Sequence, residues 1–549
     1  MAAQTQVPVL IIGGGIVGLS ASLSLSHHNI RSLVVERHSG TSIHPRARSV
    51  NMRTMEIYRH LGVDHRVRDA GATFVGIYTG PSMREVIEPK PRKEGKKKWP
   101  LADVLAAISP VAGTFATQDV IEPLLVDAAR EKGGEVRFYT ECVKVEQDEE
   151  GVTAILKNRE TGGTESVRAQ YLIAADGANS PIRKQLDVPV TGRGSMGHLL
   201  NILFHADLEA LVQGREFSIC IIERPEVCGL FTSINNSDRW VFHLSYDTSK
   251  GESPSDFPPE KCKELLRVAI GIPEIEITID GILPWEPSVR VAERLQYGRI
   301  FLAGDAAHQM PPWGGQGANS GIADAYDLAW KLAAVLNGKA GKALLETYDV
   351  ERQPVGRMAA ETSASGADER GMISMKKNLA VLGGMLRKAP LASGHGYGYA
   401  GPSICEEDTG PLGGLTWRPW TLPSLFLSID GRPGRRIPHV WVEQQGNRVS
   451  TLDLCGKSFV LLAGASGRDW VDAAKHVSSV LGVEISAYSV GPGADLGTTK
   501  AGEFESAAGI STQGALLVRP DDFVAWRERR LPSDHRVRFE QAVRRALCL

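Results

Sequence analysis

The chain has 549 residues, with 62 Lys and Arg against 64 Asp and Glu and a formal net charge of −2. That length exceeds one ordinary core and implies two to four domains, and the near-neutral balance excludes a global attraction to nucleic acid or to a membrane surface. A composition 42% hydrophobic and 23% charged is that of a globular protein, and no apolar stretch is long enough to span a bilayer.

The first elements read strand, helix, strand over residues 7–36. "VPVLII" is a continuous apolar run, residues 16–26 make a small-residue helix, and "SLVVE" is a second strand. The opening run is short and ends in glycines, so it reads as a buried strand rather than a signal peptide. Between strand and helix stands Gly13-x-Gly15-x-x-Gly18. Gly13 permits the tight turn, Gly15 lets a pyrophosphate approach the backbone, and Gly18 lets the helix pack on the strand. Ile16 and Val17 open the helix whose N-terminus faces the phosphates. Glu36, at the end of the second strand and followed by Arg37, is placed to accept hydrogen bonds from a ribose hydroxyl. Its charge would repel a 2′-phosphate, so FAD or NAD fits this turn better than NADP.

A basic run, "KPRKEGKKKWP" at 90–100, contains Pro and Gly and reads as a solvated loop. "YLIAADGANSPIRKQL" then places Asp176 and Gly177 after another apolar strand, with Ser180 and Arg183 following. From 190 to 290 short runs such as "FSICII", "GLFTSI" and "RWVFHLSY", broken by turn signals such as "NNSD", predict an antiparallel sheet. Alternation in the last run puts Trp240, Phe242 and Tyr246 on one face and His243 on the other.

A second glycine-rich turn, "LAGDAAHQMPPWGGQGANSG", follows the strand "RIFLA" and leads into a helix expected from about Asn319. Asp305, at the carboxyl edge of the sheet, suits the hydroxyls of a ribityl chain. The N-terminus of the helix suits negative charge on a bound ring system. Residues 346–390 look largely helical, and 391–437 are rich in Gly and Pro and form the linker candidate. Gly396-x-Gly398-x-x-Gly401 repeats the first string there without strand or helix around it, so it reads as a flexible connection. Residues 438–549 again alternate strands and helices. Seven scattered cysteines with no C-x-x-C pair point to a reducing, cytoplasmic setting and away from disulfide or zinc frameworks. No metal-ligand spacing is visible among the 14 histidines.

The three motifs in this order resemble the class A flavoprotein monooxygenases, the para-hydroxybenzoate hydroxylase group. Their G-x-G-x-x-G, D-G-x-x-S-x-x-R and G-D-A-A-H patterns are matched by Gly13/Gly15/Gly18, Asp176/Gly177/Ser180/Arg183 and Gly304/Asp305/Ala306/Ala307/His308. "HPRARSVNMRTMEIYRHLG" and "TYDVERQPVG" strengthen the resemblance, which runs from residue 7 to about 360. The last part resembles the thioredoxin-like C-terminal domain of phenol hydroxylases and aromatic polyketide hydroxylases, with Asp521–Asp522 where Asp–Gly is commoner. Lacking a C-x-x-C pair, that domain is expected to be structural or part of a homodimer interface.

The resemblance implies an α/β chain. Its parts are a Rossmann-like FAD-binding domain (1–189 and 291–390), an inserted antiparallel-sheet substrate domain (190–290, with a segment near 75–110), a linker (391–437) and a thioredoxin-like domain (438–549). It implies non-covalent FAD, transient NADPH or NADH, O2 and an aromatic substrate, with a flavin C4a-hydroperoxide transferring one oxygen atom. Baeyer–Villiger oxygenation of a related ketone is the alternative outcome, and a silent flavin-binding module the non-enzymatic one. The flavin-side residues implied are Arg46, Gln118, Asp176, Asp305, Pro312, Gly315, Gly317, Ala318 and Asn319. Arg183 is expected either to help the nicotinamide or to form an ion pair behind the DG turn, and His308 to be structural. Pro311 and Pro312 shape the loop over the ring. Arg48, as a group that stabilises a phenolate or oxyanion, and Tyr246 are the pocket candidates, although the aromatic face that carries Tyr246 either meets substrate or packs the domain. The W-x-W-x-I-P string of flavin-dependent halogenases is absent, as is the early cysteine pair of disulfide reductases.

Overall fold

The structure, a computed structural model, describes residues 5–71, 76–87, 107–367, 394–406 and 429–549. The basic run 90–100, most of the 75–110 segment, residues 368–390 of the expected helical stretch and much of 391–437 lie outside the described residues.

Five parallel strands order the first domain: Ile300–Leu302, Thr164–Ala174, Thr5–Ile12, Ser32–Val35 and Glu135–Arg137, side by side in that sequence. Their apolar runs are continuous because both faces are covered. The helix Ile16–His27 packs on the sheet against the helices Gln118–Glu131 and Gln316–Leu336. Its buried serines are satisfied internally, Ser20 and Ser24 each donating to the carbonyl four residues back at 2.7 Å. Gly18 is required here, since a Cβ would sit 1.9 Å from the Gly13 carbonyl oxygen.

The middle domain is a six-stranded sheet in the order Thr278–Trp285, His198–His205, Arg239–Tyr246, Val227–Ser233, Ile219–Arg224, Ile77–Gly80. It is antiparallel except at the edge, where Ile77–Gly80 runs parallel to Ile219–Ile222. One face, carrying Leu200, Ile202, Phe204, Phe231, Trp240, Phe242 and Tyr246, packs on the amphipathic helix Pro259–Ile270 as this domain's own core. In the C-terminal domain, Ile485–Val490 and Phe459–Gly464 pair parallel, and Ala515–Val518 and Val524–Glu528 continue antiparallel. The helices Arg468–Leu481 and His535–Ala546 pack on it, in the thioredoxin-like arrangement.

The C-terminal domain meets the first through buried charges. Glu56 is 1% exposed, with Arg436 Nη2 at 2.6 Å and Arg53 Nη1 at 3.7 Å. Asp327, Glu351 and Asp521 converge as well, with Lys331 and Arg519 among them as counter-charges. Burial raises the Glu56 carboxyl, but Arg436, His395 and Arg53 outweigh it and bring it down to about 2.

Two outcomes follow. Gly18→Val should destabilise the first domain by about 3 kcal/mol by prising helix from turn, read as a lower thermal midpoint. A carboxyl depressed in the folded state stabilises fully above its ordinary value of 4.5 and ceases to do so as pH falls toward about 2. Thermal midpoints should therefore fall across that window, and Glu56→Gln should flatten the fall; an unchanged slope in the variant would remove Glu56 as its source.

Candidate active site

The three glycine turns meet at the carboxyl edge of the parallel sheet. Gly13 has φ +107°, and a Cβ there would lie 2.2 Å from the Ala175 carbonyl oxygen, so the first turn rests directly on the DG turn. Val17 fills the space beneath the second turn: a Cβ on Gly304 would meet its side chain at 2.9 Å, and one on Gly321 at 2.5 Å. Arg183 joins the other two, donating to the carbonyls of Ala306 at 2.9 Å, Asp305 at 3.4 Å and Ala178 at 2.6 Å. It therefore clasps backbone carbonyls, and no carboxylate lies within ion-pair distance of it among the described residues.

Around the first turn, Gly14 N–H donates to Glu36 Oε2 at 2.7 Å, and the other Glu36 oxygen accepts from His38. Arg37 projects into solvent beside it. A group that sequence reasoning missed is Glu122. This buried carboxylate accepts from Ile16 N–H at 3.0 Å, Ser42 N–H at 2.7 Å and Gln118 Nε2 at 2.6 Å. It ties the helix start to the loop carrying Arg46 and to Gln118, and burial raises its carboxyl. Its separation from the turn, 106 residues, left no local signal.

The second turn differs from expectation in one respect. The helix begins at Gln316, three residues before the expected start, because Gly315 takes φ +63° and turns the chain into it without a side-chain cap. Gly317, Ala318 and Asn319 thus form its first turn, with N–H groups left for an anion. A Cβ on Gly317 would sit 3.9 Å from Asp305 Oδ1, which places that carboxylate beside the helix start. Asp305 is open along one side yet hemmed by protein; burial raises its carboxyl, opposed by His308, Arg46 and Arg183. His308 is fully buried on Asp324 at 2.7 Å, a structural role.

These residues fit an FAD. Asp176 Oδ1 is buried without a partner among the described residues, an acceptor left for a bound group to satisfy. Gly15 leaves open approach, the nearest atom to a Cβ there being Glu122 Oε1 at 3.5 Å. Asp305 and the first turn of the 316–336 helix lie beside each other at the far turn.

Opposite this path stands the inner face of the middle sheet. Leu199, Ile219, Ile221, Leu230 and Trp285 cluster there with Trp313 of the loop after the two prolines. Pro311 is buried and Pro312 exposed in that loop. Tyr246 is not on this face: it packs with Trp240, Phe242 and Phe257 in the domain core. The residues that reach the wall are those that alternation put opposite. His243 pairs with Asn201 Oδ1 at 2.7 Å and with Thr232 Oγ1 at 3.3 Å. Burial, then Arg48 and His44, push His243 down to about 3, so its ring is neutral. Arg48 reaches across to this face, donating to the carbonyls of Ser218 at 3.2 Å and of Ser233, with Nε buried and unpartnered among the described residues. Arg239 and Asp119, 3.1 Å apart, latch the sheet to the flavin domain.

Comparison with known proteins agrees with this geometry. Residues 6–363 match the family model of an FAD-binding domain, and residues 430–548 that of the aromatic-ring hydroxylase C-terminal domain. A polyketide hydroxylase assigned in Streptomyces halstedii is 40% identical over 536 residues, covering 95% of this chain and 93% of that protein. The tetracenomycin A2 monooxygenase-dioxygenase of Streptomyces glaucescens is 39% identical, covering 99% and 97%. The structure of an aklavinone-11 hydroxylase in complex with FAD and aklavinone superposes with a TM-score of 0.85 at 35% identity, over 100% of both chains. The chain belongs to the FAD-dependent aromatic-ring hydroxylases and is a flavin-dependent monooxygenase.

Proposed function

We propose that the substrate is a flat, multi-ring phenol or quinone of the polyketide type, lying between the 311–315 loop and the inner face of the middle sheet, with NADPH as reductant and O2 as oxidant. The observation that carries this reading is the wall itself: Trp285 and four aliphatic side chains, facing Trp313 of the loop and interrupted by one polar line, Asn201, His243 and Thr232. An extended ring system covers such a wall and excludes water from it, whereas a single ring covers a fraction.

Bound FAD supplies the redox chemistry that activates oxygen. The chain's own residues orient the substrate. His243, neutral, holds its proton on Nδ1 for Asn201 Oδ1 and leaves Nε2 to accept from the Thr232 hydroxyl. The Thr232 oxygen then presents lone pairs, which accept from a substrate hydroxyl. Arg48, its two Nη groups fixed on backbone carbonyls, directs Nε–H at a phenolate oxygen and favours the electron-rich form of the ring. Pro312 borders the ring from the flavin side. The protein works in the cytoplasm, a reading supported by seven cysteines that form no disulfide; among the described residues no helix is long and apolar enough to cross a membrane.

The test is anaerobic mixing with NADPH across a panel of phenols, hydroxyanthraquinones and their deoxy counterparts, followed by aerobic product analysis. Flavin reduction should accelerate with the hydroxylated multi-ring members, and the product should be heavier by one oxygen atom with its rings intact. A flavin that stays oxidised with every member sinks the reading, and a lactone product redirects it to Baeyer–Villiger chemistry. Arg48→Met should lower kcat/KM for hydroxylated rings about tenfold, about 1.4 kcal/mol of transition-state binding. Thr232→Val should erase most of the preference for hydroxylated over deoxy rings while leaving FAD content unchanged.

A further inference from the structure

We infer that the 520–522 turn of the C-terminal domain is a positioning element of the flavin site, acting through Asp522 and Arg53. The turn joins the strands Ala515–Val518 and Val524–Glu528 and inserts among three helices of the first domain. Tyr326 of the helix Gln316–Leu336 donates its hydroxyl to the Pro520 carbonyl at 3.3 Å. Glu351 of the helix Ala343–Ala364 receives Arg519 at 2.7 and 2.8 Å. Arg53, on the helix Met52–His60, donates to the Asp521 carbonyl at 2.8 Å and to Asp522 Oδ2 at 2.5 Å.

Asp522 is held there against two local costs. Its φ is +71°, a left-handed conformation that glycine takes freely and an aspartate does not. Its carboxylate is fully buried with Oδ1 unpartnered among the described residues. What Asp522 gains is Arg53, 4% exposed, whose guanidinium also lies over the Tyr326 ring at 5.5 Å. An observed outlier of this kind points to a functional constraint.

The constraint leads to the flavin edge in two short steps. Arg53 is the second residue of a helix capped by Asn51, whose side chain accepts from Thr54 N–H at 2.9 Å. Asn51 N–H donates to Asn319 Oδ1 at 3.0 Å, and Thr54 Oγ1 donates to the same oxygen at 2.6 Å. Asn319 Nδ2 in turn holds the Ser49 carbonyl at 2.8 Å. Asn319 stands in the first turn of the helix that faces the flavin ring. Asp522 therefore fixes, through Arg53, the end of the helix that orients Asn319, and the C-terminal domain is a part of the cofactor site without touching it.

The experiment measures FAD affinity of apoprotein by fluorescence titration, together with the visible spectrum of the bound flavin. Asp522→Gly removes the carboxylate and relieves the backbone; Asp522→Asn keeps size and left-handed tolerance and serves should the glycine variant fail to fold. Each should weaken FAD binding at least tenfold and shift the flavin absorption bands. Trp470→Phe, in the apolar core of the same domain, should lower the thermal midpoint while leaving affinity within twofold and the spectrum unchanged. Combined with Asn319→Ala, the loss in Asp522→Gly should be smaller than the product of the single losses, because both act on one arrangement. Affinity within twofold of wild type in the Asp522 variants, or losses that multiply, would overturn the inference. A wild-type chain that does not bind FAD would instead overturn the flavin reading on which it rests.

Discussion

One buried carboxylate holds the second glycine turn in place, and the cofactor path depends on it. Asp324, without solvent exposure, accepts from Gly304 N–H at 3.1 Å, His308 Nε2 at 2.7 Å and Arg352 Nε at 2.8 Å. Burial alone would raise its carboxyl, but His308 and Arg352 reverse that and bring it to about 2. The loop bearing Asp305 is therefore fastened to the same helix whose first turn lies beside it. One carboxylate thus links the loop and the helix through three hydrogen bonds. Removing either partner would leave a desolvated charge, which is far costlier than losing an exposed ion pair.

What could be read in the sequence was local chemistry. The glycines at 13, 15 and 18, the carboxylates at 176 and 305, and the strands before them announce themselves within short windows, because backbone geometry dictates which residue fits. Long-range partners did not. Glu122 and Asp324 are ordinary helical acids until the fold brings an unpaired N–H to each. Alternation in "RWVFHLSY" sorted side chains into two faces correctly, yet nothing local says which face meets the flavin domain. The aromatic face could have met substrate or packed the domain, and it is the core; the face bearing His243 is the one turned toward Trp313. The start of the 316–336 helix was misjudged because Gly315, in a left-handed conformation, starts a helix as readily as it ends one.

The middle sheet thus divides its labour by face. The outer face builds stability by burying aromatics against one amphipathic helix. The inner face, turned toward Trp313 rather than a helix, carries the polar line Asn201, His243 and Thr232 among its apolar residues. Arg48, on backbone carbonyls of the sheet, and the Arg239–Asp119 ion pair tie that sheet to the first domain.

The strand order has a consequence for how the protein is made. Adjacent strands of the central sheet come from residues 5–12, 164–174 and 300–302, with five of the six strands of the middle sheet encoded between the last two and its edge strand Ile77–Gly80 before them. Closing such distant contacts is entropically slow and leaves sheet edges open in the meantime. During synthesis the first strand–turn–helix unit emerges early but has no neighbour on its far side until residue 174, and no second glycine turn until beyond residue 300. A ribosome-bound fragment can therefore fold its outer elements while remaining unable to retain a dinucleotide. The glycine turns can come together only once the chain beyond residue 304 has been made, so the complete cradle is a late product of folding.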